Sequence, residues 1–251
     1  MNPFDFQTIV LAWIVLALLL LPIQLKITAP YGRHTNRRWG PLMDNRLGWM
    51  IMEVVSPLTL LYFFLNGQGN KPMLVWILVG LWVAHYVHRS FIFPLRTRTA
   101  GKQIPVAVVL SAVFFNTING WTNGYELGAQ AGDSTLWMSS PHFIVGLVLF
   151  LAGAGLNIQA DNQLLKLRKP GEAAYRIPRG GMFRYLSCPN HFGEIVEWGG
   201  FALMAWNLPA LGFAIWTAAN LIPRSLSHHR WYQAHFPDYP KERKAVIPFL
   251  L

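Results

Sequence analysis

Long apolar runs alternate with short polar segments along most of this chain. Most of these runs approach the roughly 20 residues that an α-helix needs to cross the hydrocarbon core of a bilayer. The pattern predicts seven membrane-spanning helices, because Pro209 interrupts the last apolar run and divides it in two. The predicted spans lie at residues 6–25, 47–65, about 72–88, 104–125, about 136–160, and as two helices within 198–223.

The composition favours an all-α, polytopic membrane protein. Charged residues make up only 13% of the chain, about half of the proportion usual in a soluble domain. Residues 1–25 carry no basic n-region, so they predict a retained helix rather than a cleaved signal peptide. The single cysteine, Cys188, has no partner for an intramolecular disulfide and argues against a cysteine-ligated zinc site.

The basic residues cluster on one side of the predicted topology. Twenty of the 21 Lys and Arg residues follow the first, third or fifth predicted helix or lie in the C-terminal tail, and Lys71 alone lies on the other side. The positive-inside rule therefore places the N-terminus outside and the C-terminus in the cytoplasm, which requires an odd number of spans. The net charge of +10 is concentrated in these loops, so it favours contact with anionic lipid over nucleic acid.

The longest polar passage, residues 157–197, is flanked by apolar runs. It combines basic side chains, which pair with phosphate, and carboxylates, which pair with ribose hydroxyls, so it suits a large anionic ligand. The alternative is a basic loop that only sets the topology. Asn157 and Asp161 are four residues apart and share a helix face, as do Arg224 and His228 near the end of the seventh predicted helix.

Common nucleotide-binding and metal-binding motifs are missing from the sequence. The chain contains neither GxGxxG nor GxxxxGK[ST], so a Rossmann or P-loop site is unsupported. His85 and His88 have no third ligand nearby in the sequence, and His228 and His229 lack the further histidine boxes of a membrane di-iron site. We therefore predict no metal site.

Glu53 is the one charged residue in the second predicted helix. A carboxylate near the bilayer centre costs about 2.5–3.5 kcal/mol, so Glu53 should face the bundle interior and have either a hydrogen-bonding partner or a catalytic role. A protonated Glu53 would donate a hydrogen bond, for example to a substrate carbonyl. Tyr86 is a second candidate donor if the second and third helices pack together. Arg89 marks either the membrane edge or a ligand contact.

The order of motifs along the chain resembles that of the steroid 5α-reductase family, also called 3-oxo-5-alpha-steroid 4-dehydrogenases. In the C-terminal half the resembling segments are NIQAD at 157–161, LRKPGE at 167–172, YRIP at 175–178, Gly180–Gly181, NHFGE at 190–194, Glu197–Trp198, HHRWY at 228–232 and DYPKERKAVIPF at 238–249. Upstream, APYGR at 29–33, Glu53 and HYVHR at 85–89 also fit. Nearly the whole chain is covered, and it looks like a compact, bacterial-type member.

The resemblance implies a seven-helix membrane enzyme in which residues 1–251 form one membrane-embedded reductase domain. It implies that NADPH binds from the cytosolic side, mainly through residues 157–244, and that a lipid-soluble steroid binds mainly among the helices within residues 1–125. Glu53 and Tyr86 match the pair that binds the substrate carbonyl. The positions that match cofactor-binding residues, with Lys102 in place of an arginine, are Arg89, Lys102, Asn157, Asp161, Arg168, Tyr175, Arg176, Asn190, Glu194, Arg224, His228 and Tyr232.

The implied reaction is reduction of the 4,5 double bond of a 3-oxo-4-ene steroid, with hydride delivered to C5 and a proton to C4. The chain would act as a monomer in the inner membrane of a bacterium or in the endoplasmic reticulum of a eukaryote. Residues 97–102 depart from the mammalian pattern, which is richer in Arg, Asn and Gly. This departure leaves the contact with the cofactor's 2′-phosphate open.

Other functions are compatible with the same sequence. A trans-2-enoyl-CoA or polyprenol reductase would share the cofactor and architecture and differ in the apolar part of the pocket. A sterol C14 or C7 reductase is disfavoured, since it would carry Arg-His-Pro-Asn-Tyr at residues 187–191. A methyltransferase using S-adenosylmethionine shares the broad C-terminal pattern but needs no 2′-phosphate site, so the arginines favour NADPH. A non-enzymatic membrane carrier or lipid-binding protein could also use Glu53 and the polar cytosolic face.

Overall fold

The computed structural model describes residues 3–97, 101–132, 135–167 and 175–251, which are mainly helical. The α-helices are α1 (Pro3–Lys26), α2 (Asn45–Leu65), α3 (Met73–Val87), α4 (Phe93–Arg96), α5 (Val106–Ala129), α6 (Thr135–Met138), α7 (Pro141–Lys166), α8 (Pro189–Ala205) and α9 (Leu208–His235). A π-helical turn lies at His88–Ile92, and 3-10 turns lie at Gly32–His34, Arg37–Trp39 and Gly181–Arg184.

Four helical segments within the described ranges are long and apolar enough to cross a membrane. They are α1, α2, α7 and the continuous helical segment that runs from Met73 to Arg96. The other long helices are more polar or shorter: α5 buries Asn116, Asn119 and Asn123, and α8 has only 17 residues. The count of seven spans therefore stays a prediction, whereas helices long and apolar enough to span a membrane are a property of the chain.

A small antiparallel sheet is the exception to the predicted all-α architecture. Strand β1 (Leu42–Asp44) pairs with β2 (Gln103–Pro105), with Leu42 opposite Pro105. Each strand leads directly into a helix, β1 into α2 and β2 into α5, so the pairing brings the starts of these two helices together. Asp44 also caps α2, because its side chain accepts a hydrogen bond from the backbone N–H of Leu47 at 2.9 Å.

Several helices differ from the bounds predicted for them. The third predicted helix continues from α3 through the π-helical turn into α4, and the fifth divides into α6 and α7. Helix α8 begins at Pro189 rather than near residue 198, because the polar residues of its first turns contact α7 instead of forming a loop. Helix α9 runs on to His235 and contains Pro223 in its interior.

The predicted break near Pro209 is confirmed, and it occurs slightly earlier in the chain. Helix α8 ends at Ala205, and its C-cap residue Trp206 adopts a left-handed backbone conformation with φ of +46°. Asn207 then caps α9 by accepting a hydrogen bond from the backbone N–H of Ala210. Pro209 lies in the first turn of α9, where its missing N–H leaves no helical hydrogen bond unmade.

The fold forms two compact units, Ala29–Ile144 and Met1–Thr28 with Val145–Leu251, and the single reductase domain expected from the sequence stays a prediction. In the unit Ala29–Ile144, α2 and α5 pack with their backbones in contact. A Cβ added at Gly120, Gly124 or Gly128 would lie 2.8 Å or less from a backbone oxygen of α2. Only glycine permits this separation, so these residues set how closely the two helices approach.

In the other unit, α1 packs against α9. The indole N–H of Trp216 donates a hydrogen bond to the carbonyl of Trp13 at 3.0 Å, and the two rings lie 4.6 Å apart. Just after the end of α1, the hydroxyl of Thr28 lies 2.9 Å from that of Ser227 on α9. These contacts join residues about 200 positions apart in the chain and fasten the N-terminal helix to the C-terminal half.

Helices α7 and α8 approach each other even more closely. A Cβ added at Gly153 on α7 would lie 2.4 Å from the backbone nitrogen of Glu197, and one at Gly193 on α8 would lie 2.6 Å from the backbone nitrogen of Asn157. Because no side chain separates the two backbones here, the polar side chains that follow on both helices are brought within hydrogen-bonding distance.

Candidate active site

Tyr86 on α3 is connected through Asn116 to the turn of α2 that carries Glu53. The side-chain amide of Asn116 donates a hydrogen bond to the carbonyl of Met52 at 2.6 Å, and the hydroxyl of Tyr86 donates to Asn116 Oδ1 at 3.4 Å. Tyr86 is buried and Glu53 is half-buried. The packing of α2 with α3, on which the sequence prediction for this pair depended, is therefore present.

Trp82 fixes the orientation of α3 one turn before Tyr86. Its indole N–H donates a hydrogen bond to Ser56 Oγ on α2 at 3.1 Å, and both residues are completely buried. Its ring stacks on that of Tyr86 with a centroid separation of 5.6 Å. The phenol of Tyr86 is thus held by packing on one side and by Asn116 at its polar end.

Arg89 lies in the π-helical turn that follows α3, a type of turn that recurs at functional sites. Its guanidinium lies 5.4 Å from the ring centre of Trp49 and 5.1 Å from that of Phe93, which positions the charge by cation–π contacts. Lys102, the other predicted cofactor contact in this unit, precedes β2, and its backbone carbonyl accepts a hydrogen bond from Asn45 at 3.0 Å.

The predicted cofactor-binding residues of α7 and α8 form one hydrogen-bonded network. Asn157 donates through its amide to the carbonyl of Asn190 at 3.0 Å and to Glu194 Oε2 at 3.1 Å. Asn190 in turn donates to Asp161 Oδ1 at 3.1 Å. Asn157 and Asp161 are buried, and the spacing of four residues does place them on one face of α7. The network joins residues up to 37 positions apart in the sequence.

Three further predicted residues lie on the polar end of α9. Arg224 and Tyr232 are buried, and His228 is half-buried, with its ring 5.8 Å from that of His191 on α8. The imidazole of His191 lies 2.8 Å from the hydroxyl of Ser225, so α8 and α9 are also joined by polar contacts.

The segment before α8 contributes two more predicted contacts. The ring of Tyr175 packs edge-on against Trp231 of α9 at 5.0 Å, whereas Arg176 is exposed. Arg168, which the sequence also predicts as a cofactor contact, lies outside the described residues.

Comparison with known proteins decides the family. A family model described as 3-oxo-5-alpha-steroid 4-dehydrogenase matches residues 102–251. The chain is 40% identical over 235 residues to steroid 5-alpha-reductase DET2 of Gossypium hirsutum, with 89% of each chain covered. It is also 40% identical over 229 residues to 3-oxo-5-alpha-steroid 4-dehydrogenase 1 of Rattus norvegicus, covering 90% of this chain and 87% of the relative. The chain belongs to the 3-oxo-5-alpha-steroid 4-dehydrogenase family.

A third relative, 3-oxo-5-alpha-steroid 4-dehydrogenase 2 of Mus musculus, is 40% identical over 235 residues, with 88% of each chain covered. Membership in this family confirms the resemblance drawn from the motifs and makes the chain an oxidoreductase. The relatives are matched over most of their length as well, so the similarity includes both compact units.

Sequence reasoning missed Asn116, although a signal for it was present. Asn116, Asn119 and Asn123 recur at helical spacing in an apolar segment, and all three are buried. Polar side chains with this spacing in a membrane-spanning helix usually face the bundle interior. Their spacing predicts a polar face, but it does not identify the partner of each amide.

The sequence also did not reveal a group of three polar side chains, Ser187, His229 and Tyr239, that connects the C-terminal tail to α9 and to the residues before α8. Ser187 Oγ lies 2.6 Å from His229 Nδ1 and 2.6 Å from the hydroxyl of Tyr239. Burial, together with the nearby charges of Lys244 and Arg243, lowers the pKa of His229, and burial raises the pKa of Tyr239. The three side chains fasten the tail to the helices.

Proposed function

We propose that this chain reduces the 4,5 double bond of 3-oxo-4-ene steroids with NADPH. The single observation that carries the proposal is the placement of Tyr86 by Asn116 beside the turn of α2 that bears Glu53. The names of the relatives, steroid 5-alpha-reductase and 3-oxo-5-alpha-steroid 4-dehydrogenase, support the substrate class and the reaction. The predicted N-out, C-in topology would place the polar end of α9 in the cytoplasm, in either the inner membrane of a bacterium or the endoplasmic reticulum.

Glu53 and Tyr86 would activate the conjugated ketone of the steroid. In an enone, the carbon β to the carbonyl becomes more electrophilic as negative charge on the oxygen is stabilised. A protonated Glu53 and the hydroxyl of Tyr86 would each donate a hydrogen bond to the 3-oxo group, where charge develops in the transition state. The long hydrogen bond between Tyr86 and Asn116, 3.4 Å, is weak enough for the hydroxyl to turn to the substrate.

The donor and acceptor set on α7, α8 and α9 fits a dinucleotide. Asp161 and Glu194 offer carboxylate oxygens for ribose hydroxyls, and the buried guanidinium of Arg224 suits a pyrophosphate. Tyr232 and Tyr175 supply aromatic surface at the same end of the unit. When bound, NADPH would supply the hydride that reaches C5, and C4 would then take a proton. The residues of this network would orient the nicotinamide and exclude water.

The first test is an assay of purified protein in detergent with NADPH and testosterone or progesterone. Loss of NADPH absorbance accompanied by a 5α-dihydro product, identified by mass and stereochemistry, supports the proposal. Binding of NADPH without reduction of either steroid rejects the substrate and directs the next assay to enoyl-CoA and polyprenal lipids. Failure to bind NADPH rejects the cofactor and directs it to methyl transfer from S-adenosylmethionine.

Glu53→Gln separates the role of the carboxyl group from cofactor binding. An amide is a weaker hydrogen-bond donor than a carboxylic acid, so turnover should fall by up to about 100-fold, the lower end of the range known for a lost oxyanion donor. The dissociation constant for NADPH, measured by fluorescence titration, should stay unchanged. Normal turnover of the variant removes Glu53 from the mechanism.

A further inference from the structure

Arginines line an open pocket on the unit formed by Met1–Thr28 and Val145–Leu251. The pocket has a volume of about 580 Å³. The residues that define it, referred to below as the arginine pocket, are Arg179, Gly180, Gly181, Arg184, Tyr185, Pro240 and Arg243. These residues lie within the region 157–244 predicted for NADPH, but none of them is among the individual contacts named above for NADPH or for the steroid, so the pocket requires an explanation of its own.

A glycine turn brings two of the arginines to the same pocket. Gly180 and Gly181 have φ values of +89° and +51°, a region of backbone space that favours glycine. The chain then forms the 3-10 turn Gly181–Arg184, so Arg179 and Arg184, on either side of the glycine pair, both reach the pocket.

The C-terminal tail supplies the third arginine. The backbone N–H of Lys244 donates to the carbonyl of Tyr185 at 2.9 Å, and the N–H of Ser187 donates to the carbonyl of Lys244 at 2.8 Å. These two hydrogen bonds hold the tail beside the 3-10 turn and thereby place Arg243 in the lining.

Positive charge in the arginine pocket exceeds the negative charge that faces it. Arg243 is buried and donates to the carbonyl of Pro178 at 2.9 Å, but its Nε and Nη1 atoms have no hydrogen-bonding partner among the described residues. Arg179 forms an ion pair with Asp238 at 3.5 Å, and both side chains are 69% exposed, so this pair is weak. An anion with several oxygen atoms would offset the remaining charge, and guanidinium groups match phosphate in particular.

Exposed apolar side chains adjoin the same pocket. The ring of Tyr185 lies 5.8 Å from that of Phe249, and the guanidinium of Arg184 lies 5.7 Å from the Tyr185 ring. Phe249 and Leu250 are 81% and 75% exposed. Arginines next to exposed aromatic and aliphatic residues are typical of surfaces that enter the headgroup region of an anionic membrane.

We propose that the arginine pocket binds the phosphate group of an anionic phospholipid. Arg179 and Arg184 contact the phosphate, and the buried charge of Arg243 adds to the positive potential of the pocket. Phe249 and Leu250 contact the acyl region. Phosphate is the chemistry shared with soluble phosphate esters, and the apolar neighbours are what favour a lipid over them. None of the pocket's residues is one of the individual contacts proposed for NADPH or for the steroid.

The test measures phospholipid binding to the purified, delipidated full chain in detergent by native mass spectrometry. Phosphatidylglycerol should bind more tightly than phosphatidylcholine. The double variant Arg179→Gln/Arg184→Gln should weaken phosphatidylglycerol binding by about tenfold, because each arginine near an anionic surface adds to the free energy of binding. The control Arg37→Gln/Arg38→Gln makes the same change in charge at two exposed residues elsewhere and should change binding less than about twofold.

Two further variants distinguish a bound lipid from simple charge attraction and from free phosphate. Asp238→Asn frees Arg179 from its ion pair and should tighten binding by about two- to fivefold. Phe249→Ser/Leu250→Ser should weaken phosphatidylglycerol binding and leave the binding of glycerol 3-phosphate unchanged.

Three outcomes overturn the proposal. Equal binding of phosphatidylglycerol to the double variant and the wild type removes the arginines from any lipid site. Displacement of the lipid by submillimolar inorganic phosphate or glycerol 3-phosphate identifies a site for free phosphate instead. If Arg179→Gln/Arg184→Gln raises the dissociation constant for NADPH and leaves lipid binding unchanged, the pocket belongs to the cofactor.

Discussion

Asn116 shows how one amide can organise a pair of groups on two other helices. Its Nδ2 is committed to the carbonyl of Met52 at 2.6 Å, which turns Oδ1 toward the hydroxyl of Tyr86. A buried amide held at one end cannot rotate freely, so it keeps the phenol near the turn that carries Glu53. Asn116 is therefore expected to position Tyr86 without contacting the substrate.

A double-mutant cycle tests this relation. Tyr86→Phe removes a donor to the developing oxyanion and should lower kcat by about 100-fold. Asn116→Ala should lower kcat by a smaller factor, and the double variant should be no worse than Tyr86→Phe, because residues that act through one another are not additive. Steady-state kinetics of the four proteins measures the cycle, with Tyr62→Phe as the control at an exposed tyrosine. Fully additive losses contradict a positioning role for Asn116.

His229 is the residue whose protonation should affect the stability of the C-terminal tail. It contacts Ser187, and its Nε2 lies 2.9 Å from the side-chain amide of Gln233. Its pKa is lowered below the ordinary value of 6.5, first by burial and then by Lys244 and Arg243. Above pH 6.5 the imidazole of His229 is mostly neutral in both the folded and the unfolded state. As the pH falls below it, the unfolded state binds a proton first, so stability is lost.

His229→Asn should reduce this dependence on pH. Asparagine retains a polar atom near the position of Nδ1 but does not titrate, so the loss of thermal stability between about pH 7.5 and about pH 5.5 should be smaller in the variant. Thermal unfolding in detergent at the two pH values measures the difference. A wild-type midpoint that is constant over this range, or an equal loss in both proteins, contradicts the assignment.

At the scale of elements, the contact between α7 and α8 determines the geometry of the predicted cofactor network. Gly193 lies between Asn190 and Glu194 on α8 and directly faces the backbone of Asn157. The side-chain amide of Asn157 donates across this contact to the backbone carbonyl of Asn190 at 3.0 Å and to Glu194 Oε2 at 3.1 Å. Any increase in the distance between the helices would therefore break the network as well as the packing.

Gly193→Ala should separate these two helices. The added Cβ would lie 2.6 Å from the backbone nitrogen of Asn157, and overpacking of this kind costs about 1–3 kcal/mol. We expect a lower unfolding midpoint and weaker NADPH binding. Gly199→Ala is the matched control in the same helix, since nothing lies within 4 Å of its added Cβ, and it should be neutral or stabilising by up to about 1 kcal/mol. Equal effects of both variants contradict the assigned role of the close approach.

At the scale of the whole molecule, the distribution of basic residues predicts which parts of the chain face the cytosol. Lys71 lies in the turn before α3, and Phe249 lies in the C-terminal tail. The positive-inside rule places Lys71 on the outer side and Phe249 on the cytosolic side. The four helical segments that meet the length and hydropathy criteria do not settle this topology by themselves.

Cysteine labelling measures the topology directly. The native Cys188 is buried, so Lys71→Cys and Phe249→Cys can be made in the otherwise natural chain. A membrane-impermeant maleimide applied to intact cells or sealed microsomes should label only one of these variants, and opening the membrane should expose the other. Labelling of both positions from the same side contradicts an odd number of spans.

The sequence alone predicted most of the long apolar helices and the family. A helix in lipid satisfies its backbone hydrogen bonds internally, so a sufficiently long apolar run predicts it from local composition. This is why α1 and α2 lie where the apolar runs predict them, and why a break occurs near Pro209. Motif order was enough for the family, because 40% identity extends over most of the chain.

Only the tertiary structure decided which side chains meet. The bond of Asn116 to Tyr86, the group of Ser187, His229 and Tyr239, and the arginine pocket all join residues that are distant in the sequence. Such contacts depend on how helices are rotated and shifted against one another, and hydrophobic periodicity does not encode this register. Polar residues at the start of α8 illustrate the limit: they resemble a loop in the sequence and become helical because α7 supplies their partners.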